Sequence, residues 1–282
     1  MRNDFCVFIL THSRPDRLYT LDTLKRCNYS GDYYIVIDNE DEKADEYYER
    51  YGDKVLMFDK KKVAERIDKG DLSDNRKTIV FARNVCFDLA EEVGVDYFME
   101  LDDDYTSLAY KFNYKGEYES REVRNLDELL EGMIKYYEKA GLKVFALAQG
   151  GDYIGGKESG MGRKIKIKRK AMNTLLCKTE KKVDFIGRIN EDVNTYVRFG
   201  GLGDLFFTTS VACIAQKQTQ SNEGGMTDVY LDKGTYVKSF YTIMYNPSSV
   251  KISKMGRTNM RLHHKISWRH TVPKIISEKY KK

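Results

Sequence analysis

Proline, tryptophan and long hydrophobic runs are scarce in this sequence. Three prolines and one tryptophan occur among 282 residues, although 41% of the residues are hydrophobic and 32% are charged. A disordered chain would hold fewer apolar and aromatic residues, so we expect a folded globular protein. The early apolar run FCVFIL (5–10) is too short for the core of a signal peptide and far too short to cross a bilayer. We therefore predict a protein that is neither secreted nor inserted in a membrane.

Paired cysteines are also missing. The five cysteines are odd in number, widely spaced and never in a CxxC pair. This pattern indicates neither a disulfide framework nor a zinc site. It is typical of a protein from a reducing compartment, so we expect a cytoplasmic location.

The net charge of +5 is modest, but the charges are unevenly distributed. Residues 38–53 include eight acids and two bases, whereas residues 161–170 (MGRKIKIKRK) include six bases and no acid. Residues 251–282 include ten lysines and arginines and a single acid, Glu278. Such basic clusters indicate a polyanionic partner, for example nucleic acid, and the alternative is an ordinary solvated basic surface.

Short apolar runs alternate with longer amphipathic stretches in the first half of the chain. The runs have the length and composition of buried strands, and they cover residues 5–10, 33–37, 54–58, 95–101 and 142–148. The stretches have the apolar spacing of helices, and they cover residues 17–27, 41–51, 78–93 and 126–140. Gly141 is well placed to end the last helix. Repeated strand–helix–strand order predicts an α/β fold with a mostly parallel sheet between helices.

Three aspartates, Asp102, Asp103 and Asp104, directly follow the fourth predicted strand. Ligands bind beyond the carboxyl ends of the strands in such sheets, and polar clusters also follow the first two strands, at residues 11–17 and 38–41. Adjacent carboxylates repel each other unless a cation or a basic neighbour compensates. Their oxygens suit Mg²⁺ or Mn²⁺, which keep positions open for phosphate oxygens. The alternative is an acidic turn that caps the following segment.

A divalent cation at this position would serve a particular reaction. When a sugar leaves a nucleoside diphosphate, negative charge develops on the diphosphate, and a bridging cation stabilises that charge. Arg14 and Arg83 are candidates to supplement the cation at the nucleotide sugar. The alternative role for Arg83 is a surface salt bridge.

At this point the sequence resembles a known group of enzymes. Residues 11–17 after the first strand, Asp38 at the end of the second, ARN at 82–84 and LDDD at 101–104 are similar to the GT-A nucleotide-sugar glycosyltransferases. The resemblance implies a Rossmann-like GT-A domain over residues 1–282. In that domain residues 1–148 would bind the nucleotide sugar, and residues 149–282 would bind the acceptor and complete the metal site.

The GT-A resemblance also implies roles for single residues. Thr11, Arg14 and Asp38 would line the nucleotide pocket, and Asp38 would accept a hydrogen bond from the uracil or its ribose. Asp102 and Asp103 would face the nucleotide sugar, Asp102 would also contact the metal, and Asp104 would be the principal ligand of Mn²⁺ or Mg²⁺. A histidine near the C-terminus often completes such a site, and the matching residues are His263 and His264. Alternatively, this histidine pair belongs to a basic strand that contacts phosphate or packs on Trp268.

Two distal motifs narrow the resemblance. The motifs NEDVN (190–194) and RLHHKISW (261–268), together with LDDDY, resemble the TET/JBP-associated glycosyltransferases. That group includes the base J glucosyltransferase and phage enzymes that add sugars to hydroxymethylated pyrimidines in DNA. Glu191 and Asp192 match the position where inverting GT-A enzymes carry a catalytic base, since an inverting transfer needs a carboxylate near the acceptor hydroxyl. Asp192 is the preferred residue of the two. The alternative is that Asp192 caps a helix.

The predicted acceptor is duplex DNA that carries a hydroxymethylated pyrimidine, and the predicted donor is a UDP-sugar. As a strand, residues 161–170 would present one apolar face and one cationic face to a phosphate backbone. Tyr153, Tyr196, Gln216 and Gln218 are candidates to stack on or read a base rotated out of the duplex. The predicted DNA contacts are Lys164, Lys166, Lys168, Arg169, Lys170 and Arg269.

Four alternatives remain open at this stage. One alternative interpretation of the basic segment is a solvated edge strand that lysines protect from aggregation. A GT-A enzyme that acts on a glycan or protein would share the donor site without needing a polyanion groove. A nucleotidyltransferase also uses aspartates at strand ends with a metal. A DNA-binding module would carry the acidic triplet for structural reasons.

If the chain is encoded by a phage, the expected location is the host cytoplasm.

Overall fold

The computed structural model describes residues 1–115, 117–153, 156–159, 170–217, 237–255 and 261–272. The strands are β1 (Phe5–Leu10), β2 (Asp32–Asp38), β3 (Val55–Phe58), β4 (Tyr97–Asp102), β5 (Tyr105–Tyr114), β6 (Glu117–Glu122), β7 (Val144–Gln149), β8 (Leu175–Lys178), β9 (Phe206–Gln216), β10 (Val250–Met255) and β11 (Arg261–Ile266). The helices are α1 (Tyr19–Arg26), α2 (Ala44–Tyr51), α3 (Lys60–Glu65), α4 (Val80–Glu92), α5 (Leu126–Ala140), α6 (Glu191–Leu202) and α7, whose described part is 237–245. Single 3₁₀ turns lie at Gly52–Lys54, Gly150–Tyr153 and Gly156–Glu158.

A nine-stranded sheet in the order β3-β2-β1-β4-β8-β7-β9-β5-β6 forms the centre of the protein. Strands β3, β2, β1 and β4 pair in parallel, and β7 pairs in parallel with β9. Strand β8 pairs antiparallel with both β4 and β7, and β5 pairs antiparallel with both β9 and β6. The predicted α/β fold with a mostly parallel sheet is therefore confirmed.

The strand β1 shows why the sheet is buried on both faces. Successive side chains of a strand point to opposite faces, and all six residues of β1 are apolar and buried. Phe5, Val7 and Ile9 pack in one hydrophobic cluster together with α1 and α5. The side chains between them pack in a second cluster with α3, α4 and α6. Helices thus cover both faces, as the alternation of runs and stretches predicted.

The predicted boundaries differ from the observed ones by a few residues, and α5 matches its predicted span. Gly141 follows α5 in the left-handed conformation, with φ of 65°, and its backbone N–H donates to Glu138 O. Glycine adopts this conformation without steric cost, so the predicted helix end is confirmed.

Strands β5 and β6 were not predicted, and the composition of β6 explains why it was missed. Strand β6 lies at the edge of the sheet beyond β5, contains three glutamates among tyrosine, serine and arginine, and is largely exposed. A solvated edge strand needs no apolar run, so hydrophobic periodicity does not reveal it.

The strands β10 and β11 form a separate antiparallel hairpin. The residues after it pack on α6, where the Trp268 ring stacks on Tyr196 with centroids 5.8 Å apart and an interplanar angle of 13°. Gly200 contacts the Thr271 carbonyl so closely that an added Cβ would lie 2.4 Å from the oxygen. The hairpin is therefore anchored to α6.

Within the described ranges, none of the helices has the length and hydropathy needed to span a membrane.

Candidate active site

The acidic triplet lies where β4 ends beside β1. Asp102 is the last residue of β4 and pairs in register with Leu10, which places Thr11 next to Asp103. The Thr11 hydroxyl donates to Asp103 Oδ2 at 2.7 Å, and Arg14 Nε lies 3.3 Å from the same oxygen. The parallel register thus brings together three predicted site residues from two separate motifs.

Burial changes the chemistry of all three aspartates. It raises the pKa of Asp102, Asp103 and Asp104 to about 6 each, because the charged form loses hydration. The negative charge of a neighbouring aspartate also raises the pKa of each. Arg83 opposes this rise at Asp102, and Arg14 opposes it at Asp103 and Asp104. The triplet is therefore an unfavourable concentration of negative charge in the absence of a cation.

One oxygen of the triplet points to what would relieve this charge. Asp104 Oδ1 is buried and has no hydrogen-bond partner among the described residues. Within those residues, no group of three or more His, Cys, Asp or Glu side chains is arranged to hold a metal ion by itself. Mg²⁺ is usually held by one or two carboxylates together with water and substrate phosphates rather than by a complete protein cage. The donor set at Asp102 and Asp104 fits such a cation.

Two cations flank the triplet. Arg14 lies on the side of Asp103, and Lys217 lies beside Asp104: its backbone N–H donates to Asp104 O at 3.2 Å, and its charge opposes the rise of the pKa of Asp104. The Lys217 ammonium sits 3.7 Å from the centroid of the Tyr19 ring. Positive charges on both sides of a cation-binding carboxylate suit a diphosphate.

Asp38, predicted to contact the nucleotide, already has three donors in the structure. His12 Nδ1 lies 2.9 Å and Lys60 Nζ 3.0 Å from Asp38 Oδ2, and the Glu40 N–H donates to Oδ1 at 3.1 Å. Burial alone would raise the pKa of Asp38, but the hydrogen bond from His12 and the charge of Lys60 hold it below its usual value. Asp38 is therefore an ionised group at the end of β2, and its contact with a nucleotide stays a prediction.

Arg83 is buried rather than open to a ligand. Its Nε lies 3.1 Å from Glu191 Oε1, its Nη1 3.2 Å from Glu100 Oε2 and its Nη2 3.2 Å from Asp102 Oδ1. Only 2% of Arg83 is exposed, so the surface salt bridge considered for it is wrong, because the pairing occurs in the interior. Arg83 connects the acidic triplet to the start of α6.

Glu191 and Asp192 begin α6 and have different environments. Burial and the charge of Asp192 raise the pKa of Glu191 to about 7, although Arg83 opposes the rise. Asp192 is less buried, and its Oδ1 accepts a hydrogen bond from the Val193 N–H at 2.7 Å. The charge of Asp192 also raises the pKa of Asp102, so the preferred base lies near the triplet.

The N-cap position of α6 is not occupied by Asp192. The N-cap residue of α6 is Asn190, and it makes no side-chain cap. The Asn190 amide instead donates to Lys238 O at 2.6 Å, which ties α6 to α7. Asp192 is therefore not the N-cap residue, but its carboxylate accepts from the Val193 N–H, one of the free N–H groups in the first turn of α6.

The two predicted histidine ligands lie on β11 with their rings stacked 4.3 Å apart. His264 is 4% exposed, and neither ring nitrogen has a hydrogen-bond partner among the described residues. Burial and the charges of Lys170, His263 and Lys238 lower the pKa of His264 to about 3. The His264 imidazole is therefore neutral, as a metal ligand must be, although its charged neighbours are cations. The ligand role of this pair stays a prediction.

The predicted DNA contacts are only partly within the described residues. Lys164, Lys166, Lys168 and Arg169 lie outside them, as do the predicted strand at 161–169 and Gln218. The Lys170 carbonyl accepts a hydrogen bond from Thr208, and Arg269 is exposed beyond β11.

Two aromatic residues predicted to stack on a base are packed in the interior. Tyr153 is 6% exposed and its hydroxyl donates to Ser210 O, while Tyr196 is 2% exposed beneath Trp268. The base-stacking prediction for these two rings is wrong, because neither has a face open to a ligand.

Sequence analysis did not single out several residues of the site. Lys60 follows the third strand, so the rule that directed attention to the ends of the first, second and fourth strands would also have found it. Glu100 is a lone acid in an apolar strand, two residues before Asp102 and therefore on the same face. The Tyr47 hydroxyl contacts the Thr11 hydroxyl at 3.0 Å and accepts from the Arg14 N–H at 2.8 Å. Tyr47 and Lys217 carry no such signal, because their positions depend on tertiary packing.

A mostly parallel sheet with carboxylates and basic side chains at the carboxyl ends of its strands is the architecture of a nucleotide-binding α/β enzyme. The chain belongs to the TET-Associated Glycosyltransferase family, whose model matches residues 5–225. It is thus a glycosyltransferase, as predicted, and the alternatives of a nucleotidyltransferase and of a non-enzymatic DNA-binding module are set aside.

Two solved structures are similar to this chain, and both are of glucosyl-3-phosphoglycerate synthase from Mycobacterium tuberculosis. The complex with Mg²⁺ and UDP has 9% identity and a TM-score of 0.49, and the match covers 94% of this chain and 88% of the other. The complex with Mn²⁺, UDP-glucose and phosphoglyceric acid has 10% identity and a TM-score of 0.47, covering 92% and 86%. No curated protein has a significantly similar sequence.

The raised pKa values of the triplet predict how a metal affects stability at different pH. Carboxyl groups with a pKa of about 6 in the folded protein and 3.8 as their ordinary value keep protons that the unfolded chain has lost, so metal-free stability falls as pH rises between these values. A cation requires ionised carboxylates, so its stabilisation is full above about pH 6 and is lost below. We expect Mn²⁺ to raise the melting temperature at about pH 7.5 and to have little effect at about pH 5.

Differential scanning fluorimetry with and without Mn²⁺ at both pH values measures this difference. Asp45→Asn, at an exposed aspartate of α2, should respond as the wild type does. An equal shift in melting temperature at both pH values would contradict the assignment.

Proposed function

We propose that this protein transfers a sugar from a nucleoside diphosphate, with UDP favoured, to the hydroxyl of a hydroxymethylated pyrimidine in DNA. The observation that carries the proposal is the acidic triplet at the end of β4. It combines three carboxylates, of which Asp103 is buried and the other two are partly buried, an unpartnered oxygen on Asp104 and the flanking cations Arg14 and Lys217.

The donor half of the reaction is assigned to residues 1–148 and to Lys217. Asp104 and Asp102 would hold Mn²⁺ or Mg²⁺, which supplies Lewis-acid stabilisation of the charge that develops on the leaving diphosphate. His264, or His263 beside it, would add a nitrogen ligand, and neither ring nitrogen of His264 has a hydrogen-bond partner among the described residues. Arg14 and Lys217 bind the phosphate oxygens by charge-assisted hydrogen bonds.

The acceptor half is assigned to residues 149–282. Asp192 takes the proton of the acceptor hydroxyl as the new bond forms between that oxygen and the anomeric carbon. The bond from the anomeric carbon to the diphosphate oxygen breaks in the same step, and the nucleoside diphosphate leaves with the electron pair. Glu191 is held by Arg83 and therefore supports the start of α6 rather than competing for the proton.

Membership in a TET-associated family and the cationic segments support DNA as the acceptor. A base inside a duplex must be extruded before its substituent can enter an active site, and a phosphate-binding surface holds the strand during that step. The distribution of basic residues in the C-terminal half fits this requirement, because 161–170 and 251–282 carry most of its unbalanced positive charge.

Mass spectrometry of nucleosides tests the proposal. The purified protein is incubated with Mn²⁺, a panel of sugar nucleotides and duplex DNA that contains hydroxymethylcytosine or hydroxymethyluracil. We expect one sugar nucleotide to give a hexose or pentose adduct that disappears with a chelator. No adduct on either DNA, with transfer instead to a glycan or protein acceptor, would contradict the acceptor and leave the donor assignment standing.

A further inference from the structure

The hairpin β10–β11 exposes a group of cations that the donor site does not use. Its register places Lys251 directly opposite Lys265, and both side chains are exposed, as are Lys254 and Arg269. Like charges directly opposite each other destabilise an antiparallel pair of strands. We call these four residues the cationic ribbon.

In the part of the chain that the structure describes, no carboxylate is close enough to neutralise the cationic ribbon. The sequence from 246 to 277 contains no aspartate or glutamate. Elsewhere on the described surface, the exposed Arg66 and Lys182 are paired with acids, whereas the exposed Lys135 and Lys139 of α5 are not, so the ribbon is distinguished by the cross-strand pairing of Lys251 with Lys265. Among the described residues, none of the four cations of the ribbon lies within 4.0 Å of a carboxylate. An external anion that binds the ribbon would therefore reduce the repulsion among its four cations.

The cationic ribbon is attached to the helix that begins with the preferred base. The stack of Trp268 on Tyr196 and the contact of Thr271 with Gly200 fix the end of the hairpin against α6. Tyr196 lies four residues after Asp192, which is about 6 Å along the helix axis. Successive phosphates of one strand advance by roughly 3.4 Å along a duplex axis. An anionic strand on the ribbon would thus lie within a few nucleotides of Asp192.

We propose that the cationic ribbon binds the phosphodiester backbone of the acceptor nucleic acid beside the nucleotide that receives the sugar. This inference rests on the proposed function, and it assigns the acceptor surface to residues other than the segment 161–170. A phosphate backbone fits better than an isolated anion because four separate cations are exposed along the hairpin and its following turn. It also fits better than a lipid surface, because the hairpin that carries the ribbon is anchored to α6, and α6 carries Asp192, the residue that would take the proton of the acceptor hydroxyl.

The test compares two charge variants of the whole protein. Lys251→Gln/Lys265→Gln removes the cross-strand pair, and Lys135→Gln/Lys139→Gln removes two exposed lysines from α5 as a matched control. Duplex DNA binding is measured by fluorescence anisotropy over a range of salt concentrations. Because each neutralised phosphate contributes about 0.9 to the slope of log K against log salt, we expect the ribbon variant to lower that slope by about 1.8 and to weaken binding at least about tenfold. The control should bind as the wild type does.

Two further readouts separate this inference from the proposed function. Hydrolysis of the sugar nucleotide without acceptor, and transfer to a hydroxymethylated nucleoside that has no phosphate, should be unchanged in the ribbon variant. If the wild type binds DNA through the ribbon but transfers no sugar to it, the ribbon stands and the proposed function fails. If sugar transfer to DNA and DNA affinity are both unchanged in the ribbon variant, the ribbon assignment is overturned. Preferential binding of phosphatidylserine vesicles over duplex DNA would also overturn it.

Discussion

Asp104→Asn is expected to lower kcat/KM for sugar transfer by at least about 10²-fold, the order of effect of removing one group that stabilises transition-state charge. The substitution keeps the size of the side chain but replaces a carboxylate oxygen that has no hydrogen-bond partner among the described residues. A neutral amide binds a divalent cation much more weakly than a carboxylate does. Initial rates of transfer with saturating Mn²⁺ measure this loss.

Stability separates the functional effect of Asp104→Asn from a folding defect. The substitution removes the repulsion between Asp104 and Asp103, which helps to raise the pKa of Asp104. We therefore expect the metal-free variant to be at least as stable as the wild type at about pH 7.5. Asp45→Asn serves as the matched control and should keep full activity. Full activity of Asp104→Asn would refute the metal assignment.

Arg83→Met is expected to lower the free energy of unfolding by about 3–5 kcal/mol. Arg83 is the cation that pairs with Glu100, Asp102 and Glu191, and the side chain of Glu100 is fully buried. Removing one partner of a buried ion pair leaves uncompensated charge, which costs more than the pair contributes. Urea denaturation followed by circular dichroism measures the loss.

Two comparisons make the Arg83 prediction specific. Arg66→Met breaks a pair with Asp88 whose side chains are 49% and 38% exposed, so it should cost no more than about 1 kcal/mol. Arg83→Lys keeps the charge but not the planar fork that reaches three carboxylates, so its stability should lie between those of Arg83→Met and the wild type. If Arg83→Met were as stable as Arg66→Met, the buried cluster would not hold the site together.

The relation between sequence and structure is clearest along β1, β2 and β4. Their apolar runs predicted buried strands, and the parallel register then places Thr11 beside Asp103, as an argument from strand ends expects. The C-terminal half was less predictable. Strand β8 has only four residues, yet it lies in the middle of the sheet between β4 and β7. Such a short strand carries little periodicity, and its position depends on pairing with residues distant in sequence.

The candidate active site also has a part that the sequence predicted and a part that it did not. Asp102, Asp103 and Asp104 were found because they follow a strand directly. The pairing of Arg83 with Glu100 and Glu191 joins residues up to 108 positions apart, so no local pattern could have predicted it. The two tyrosines predicted to stack on a base show how a sequence-based prediction fails. Proximity to a motif in sequence does not determine whether a ring is exposed.

Isothermal titration calorimetry of UDP with the wild-type protein tests the central claim most directly. The claim is that the acidic triplet binds a nucleoside diphosphate through a divalent cation. It predicts that UDP binds in the presence of Mn²⁺ at about pH 7.5, and that binding is lost with a chelator or in Asp104→Asn. Equal UDP affinity in the chelated wild type and in the Mn²⁺-loaded protein would contradict the claim.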